Sequence, residues 1–184
     1  MAVGSTESSI SPIEGEEEAM DARTRFSSRV KVLKKYRDEF PQFYNQMPHF
    51  LRKSVLFKSS VETGGSYAEV NNQFQSLMAE WNQVRNLHWP QELNLEKTLI
   101  MQAMNGWDVG LWVWVMNLSY AYPPMQSNRY YYEKATRFEE FTIRYDKNMS
   151  ESLRSNFMKN ERLYFQLANL YHDQSIAELK RWLQ

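Results

Sequence analysis

The chain has no cysteine, only three histidines, no net charge and no long apolar run. Without cysteine it has no disulfide scaffold, thiol nucleophile, iron–sulfur cluster or cysteine-ligated zinc. The residues three positions before His49, His88 and His172 are Gln46, Arg85 and Asn169. The Glu-x-x-His pairs of a di-iron bundle are therefore missing, and no two histidines stand four apart to grip zinc from one helix face. The 22 basic and 22 acidic residues cancel, which argues against a surface given over to coating phosphate. The longest apolar stretch, Val109 to Tyr122, is 14 residues and contains Asn117 and Ser119. A membrane-spanning helix needs about 20, so this stretch reads as a buried core segment.

Other chemical signatures are also missing. There is no Gly-x-Ser-x-Gly elbow. Gly64-Gly65-Ser66 has no following lysine, so helix capping explains it better than phosphate binding. Glu139 and Glu140 are adjacent, and on a helix they diverge by about 100°, as on a solvated face. The expectation is no enzyme, no catalytic residue, no cofactor and no metal. Residues 1–21 hold six acids and no Lys or Arg, unlike a secretory or mitochondrial leader. The expected location is intracellular and soluble, most simply cytoplasmic, and not secreted. Two Asn-x-Ser sequons, at Asn117 and Asn148, then have little meaning.

What is present points to helices. Hydrophobic residues make up 42% of the chain and charged residues 24%, a globular balance. The expected fold is all-α: a single bundle-like domain of about five to six helices over residues 23–184. A disordered acidic tail over residues 1–22 precedes it, and a long helix ends the chain. The stripe Phe26, Val30, Leu33, Tyr36 and Phe40 predicts a first helix from about Arg23, broken at Pro41. A short apolar piece is expected after Pro48, then a loop over Thr63-Gly64-Gly65-Ser66. Ser66 with Glu69 is a capping-box pattern, opening a helix through Val70, Phe74, Leu77, Met78, Trp81 and Val84. Pro90 suits another start.

The core segment from Gln91 carries Leu95, Leu99, Ile100, Met104, Trp107, Leu111, Val115 and Leu118 at helical spacing. Its centre, Leu111 to Met116, is apolar on every side, so periodicity alone does not separate helix from strand there. Pro123-Pro124 ends it. A helix over Asn128–Tyr145 follows. Asn148 and Glu151 suggest a further cap, opening a last helix that would reach about 50 Å if unbroken from Ser150.

Two features suggest binding. Residues 23–58 hold ten basic residues against Asp38 and Glu39, a net of +8 directly after the acidic tail. Arg25, Arg29, Lys34, Lys35 and Arg37 form its densest part. It reads as a solvated face of a core helix, as a docking surface for acidic protein or the acidic tail, or as a contact for nucleic acid or anionic membrane. The second feature is Arg129–Tyr145, with six aromatic residues in 17 positions. Tyr131, Phe138, Phe141 and Tyr145 share one face and read as core. Tyr130 and Tyr132 point elsewhere and are candidate anchors for a partner. Gly106-x-x-x-Gly110 would admit a close helix, and Trp107, Trp112 and Trp114 around it pack or line an apolar pocket.

The leading expectation is a non-enzymatic α-helical assembly or scaffold subunit. It would bind protein, or a second copy, through the basic helix and the aromatic C-terminal half. The alternatives are a nucleic-acid-packaging protein of nucleocapsid or coat type, and a helical carrier of an apolar small molecule.

Overall fold

A computed structural model describes residues 34–118, 128–145 and 160–184. The chain divides into two units, Met1–Glu39 and Phe40–Gln184. Of the first unit, residues 34–39 are described and are helical. The expected acidic tail and the start of the basic helix lie outside the described residues.

The second unit is all-α, with no strand among its described residues. Helix α1 spans Pro41–Glu62, α2 Tyr67–Val84, α3 Asn94–Leu118, α4 Arg129–Tyr145 and α5 Glu161–Leu183. A 3-10 turn, Gln91–Leu93, leads into α3.

Phe40 leaves helical geometry, and Pro41 then takes the first turn of α1, where its missing N–H costs nothing. The sequence suggested a separate short piece after Pro48; instead Pro48 lies inside one 22-residue helix. An internal proline costs a helix about 3 kcal/mol. The inner face of α1 continues across it, however, with Phe43, Met47, Phe50, Ser54 and Phe57 all buried. Each large apolar side chain so buried is worth about 1.5–3 kcal/mol. Pro48 itself faces outward.

The α1–α2 loop follows its sequence signals. Gly64 adopts φ +74, the left-handed conformation that glycine takes without a Cβ clash. Ser66 and Glu69 form the full reciprocal capping box, and Val70, Phe74, Leu77, Trp81 and Val84 line the buried face of α2. Met78 is half-buried. Pro90 caps the 3-10 turn, and the Trp89 indole donates to the Val84 carbonyl at 2.8 Å.

Helix α3 resolves the helix-or-strand ambiguity and is the hub. It packs most extensively on α5, and also against α4 and α2. Leu99, Ile100, Ala103, Met104, Gly106, Trp107, Val109, Gly110, Leu111 and Val113 are buried along it. Leu95 does not join them and is 54% exposed; it sits in the first turn, ahead of the first buried residue, Leu99. Leu118, at the other end, is also exposed.

The close approach at Gly106-x-x-x-Gly110 is realised. A Cβ on Gly106 would lie 2.7 Å from the Phe138 ring of α4 and 2.9 Å from the Ala168 Cβ of α5. Gly110 faces the Phe165 ring, 3.1 Å from where its Cβ would stand.

Helix α5 begins at Glu161, not near Ser150. Asn160 is extended, and its side chain accepts from the Arg162 N–H, a local N-cap that sets the boundary. The 23 residues of α5 span about 34 Å. The expected caps at Asn148 and Glu151, and the stop at Pro123-Pro124, lie outside the described residues.

Candidate functional site

A buried polar line joins α1 to α5. Ser54 and His172 are both buried, and His172 Nε2 lies 2.8 Å from Ser54 Oγ. On the other side of the ring, His172 Nδ1 is 3.4 Å from Asp173 Oδ1. Serine, histidine and aspartate thus come together from positions 54, 172 and 173, which no sequence motif announces. Ser54 Oγ–H donates to the Leu51 carbonyl at 2.8 Å. The neutral imidazole has a single N–H, which serves Ser54 Oγ when it is on Nε2 and Asp173 when it is on Nδ1.

Trp107 packs against the ring at 5.1 Å, and Ser54 has no exposed surface. The line ties two helices together. Burial pushes the His172 pKa down from 6.5 to about 4, against the upward pull of Asp173; Lys58 and Lys180 add to the depression.

Around it the ties continue. The Trp107 indole donates to Asn169 at 2.8 Å, and the Asn169 amide donates to Glu62. Lys58 bridges Glu62 and Asp173. On the far side of α5, Tyr171 donates to Thr142 of α4 at 2.8 Å. Tyr164 donates to Glu139, whose pKa burial raises. These polar groups are satisfied inside the bundle, as buried polar groups must be.

Of the expected aromatic face of α4, Phe138 is fully buried and Phe141 and Tyr131 are half-buried. Tyr145 is 41% exposed although its ring stacks on Phe141; it ends the helix, beyond the last buried turn. Trp112 stacks on Tyr131, and Trp107 is core. Only Trp114 of the three tryptophans lines one of the described pockets. That pocket, about 240 Å³, is shared with Val61, Gly64, Gly65, Glu161, Arg162 and Phe165. Asn117 of the first sequon donates its amide to Glu161 at 2.6 Å.

The expected partner-binding residues divide between the two units. Arg25 and Arg29 lie outside the described residues. Lys34, Lys35 and Arg37 are exposed on the helical turn of the first unit. Tyr130 is 61% exposed and Tyr132 also faces outward, but Tyr130 is engaged by Lys134, which lies over its ring. Lys134 in turn pairs with Asp108 of α3.

A groove that sequence reasoning missed lies between the outer face of α1 and the end of α5. It has a volume of about 520 Å³ and is lined by Pro48, Leu51, Arg52, Val55, Leu56, Lys180, Leu183 and Gln184. Val55 and Leu56 are 42% and 60% exposed. The signal was present: α1 carries apolar residues on two faces, and one helix needs only one for its core.

Among the described residues, no three His, Asp or Glu side chains converge as a metal site would require, and no helix is long and apolar enough to cross a membrane. No protein-family profile, curated protein sequence or solved structure matches this chain.

Proposed function

We propose that this chain is a non-enzymatic helical docking subunit that works in the cytoplasm by binding a protein partner. The observation that supports this reading is the groove between α1 and α5, where Val55 and Leu56 stand exposed beside Leu51 and Leu183. An apolar patch of this kind, rimmed by charge, is the usual mark of an interaction surface. Tyr130 and Tyr132 offer a second, smaller contact on α4.

The packaging alternative draws on the basic block at 23–58, and the ion pairs in the fold weaken it. Lys53 is paired with Glu80, and Lys58 with Glu62 and Asp173. On α4, Arg129 and Arg137 both face Glu133. Lys53 and Lys58 are thus balanced before any phosphate arrives, whereas Arg129 and Arg137 share a single carboxylate.

The test compares complexes formed in the native cells by the wild-type chain, by Val55→Glu/Leu56→Glu and by Tyr130→Ala/Tyr132→Ala. Copurified protein and nucleic acid are both measured at low and high salt. The expected result is a defined protein partner retained by wild type and lost from the groove variant with helicity unchanged. A partner held equally by all three variants would overturn the groove reading. Nucleic acid in place of protein, released by salt, would favour packaging.

A further inference from the structure

We infer that the groove between α1 and α5 receives an amphipathic helix whose flanks are acidic, supplied by a separate protein; this rests on the docking reading above. The shape sets the kind of occupant. Pro48, Leu51, Arg52, Val55 and Leu56 stand at i, i+3, i+4, i+7 and i+8 along α1, and Lys180, Leu183 and Gln184 at i, i+3 and i+4 along α5. Two helical ridges beside one channel are the surface into which the ridge of a third helix packs. From Pro48 to Leu56 the channel runs about 12 Å at 1.5 Å per residue. That length accepts a little over two turns, with apolar anchors at i, i+4 and i+7.

Charge sets the flanks. The side chains lining the groove include two cations, Arg52 and Lys180, and no carboxylate. The described contact of Arg52 is a hydrogen bond to His49 Nδ1 at 2.9 Å, and it forms no ion pair there. Lys180 likewise has no carboxylate partner among the described residues, whereas its neighbour Arg181 is held by Glu178. Lys53 and Lys58, on the same helix as Arg52, are both matched by acids. The cations left unmatched on α1 and at the end of α5 thus stand at the rim of the apolar channel. Carboxylates flanking the apolar face of an incoming helix would meet them, aiding both encounter and register. A second copy docking by the same face would bring Arg52 and Lys180 against their own equivalents, because a two-fold interface is self-complementary. A separate acidic partner avoids that repulsion.

The probe is a fluorescein-labelled helical peptide of about 15 residues, with leucines at i, i+4 and i+7 and glutamates flanking them. A matched peptide carries lysines in place of the glutamates. Fluorescence anisotropy against the full chain should give binding on the order of micromolar for the glutamate peptide. The lysine peptide should bind about tenfold more weakly at low salt, with the difference shrinking as salt rises. Val55→Glu/Leu56→Glu should weaken the glutamate peptide about 30-fold, as loss of a central anchor does. Arg52→Glu/Lys180→Glu should invert the preference, an outcome that misfolding cannot produce.

Equal binding of the two peptides, binding of neither, or a preference that survives charge reversal would overturn the acidic-helix inference. If the native partner still depends on Val55 and Leu56 in that event, the docking reading stands alone. Concentration-dependent dimerisation lost in Val55→Glu/Leu56→Glu would instead assign the groove to a second copy and overturn the inference.

Discussion

His172 is kept neutral by its position. It is 1% exposed, between Ser54 and the Trp107 ring, and its pKa falls from 6.5 to about 4. Between those values the unfolded chain binds a proton that the folded chain refuses. Stability therefore rises with pH across this window, is complete above about 6.5, and is lost as pH falls towards 4. The whole effect is worth about 3 kcal/mol. His172→Gln keeps a side chain able to hydrogen-bond Ser54 but removes the titration. Urea midpoints at pH 7 and pH 4.5 should diverge less for this variant than for wild type; parallel pH profiles would sink the assignment. Gly106 gives a steric counterpart. Gly106→Ala gains about 1 kcal/mol of helix propensity, yet its methyl would stand 2.7 Å from Phe138 and 2.9 Å from Ala168. Overpacking of this kind costs about 1–3 kcal/mol, and Phe138 is itself fully buried, so the clash should win. At Gly110 the nearest obstacle is the Phe165 ring at 3.1 Å, which borders the pocket beside Trp114 into which it could yield. Gly110→Ala should be close to neutral, and equal urea midpoints for the two variants would refute the distinction.

Helix boundaries were legible where a short-range rule fixed them and illegible where burial overrode it. The Gly64 turn and the Ser66–Glu69 box are local chemistry, and both appear as expected. Ser66→Ala removes the acceptor for the Glu69 N–H and should cost about 1 kcal/mol, seen as a lower thermal midpoint. A midpoint unchanged from wild type would mean that tertiary packing, not the cap, defines the start of α2. Pro48 misled because its local penalty is smaller than the gain from one continuous buried face through Phe43, Phe50 and Phe57. The start of α5 misled differently. Asn160 and Glu161 supply an N-cap and a first-turn acid, whereas the start expected from the sequence lay at Asn148 and Glu151, outside the described residues. The groove and the Ser54–His172 pair needed three dimensions. Only packing of α5 on α1 shows which apolar face of α1 is left outside, and Ser54 and His172 meet across 118 positions.

On the scale of the whole molecule, charge is segregated along a neutral chain. Residues 1–21 carry six acids, and residues 23–58 carry a net of +8. The fold removes two cations from the far end of that block by pairing Lys53 and Lys58 internally. What remains available is concentrated nearer the acidic segment, including the exposed Lys34 and Lys35. Groups tethered by so few residues face one another at an effective concentration on the order of millimolar, with no fixed structure required. An acidic partner of the basic segment must compete with that. Deleting residues 1–21 should therefore strengthen retention on heparin at low salt. The gain should fade as salt rises, since exposed charges are screened beyond about 8 Å at physiological ionic strength. Lys34→Glu/Lys35→Glu in the truncated chain should abolish it. Full-length and truncated proteins that elute together across the salt series would show that the acidic segment does not compete for these cations. The acidic charge would then act only through the net neutrality of the chain, and the proposed docking would rest on the groove of α1 and α5 alone.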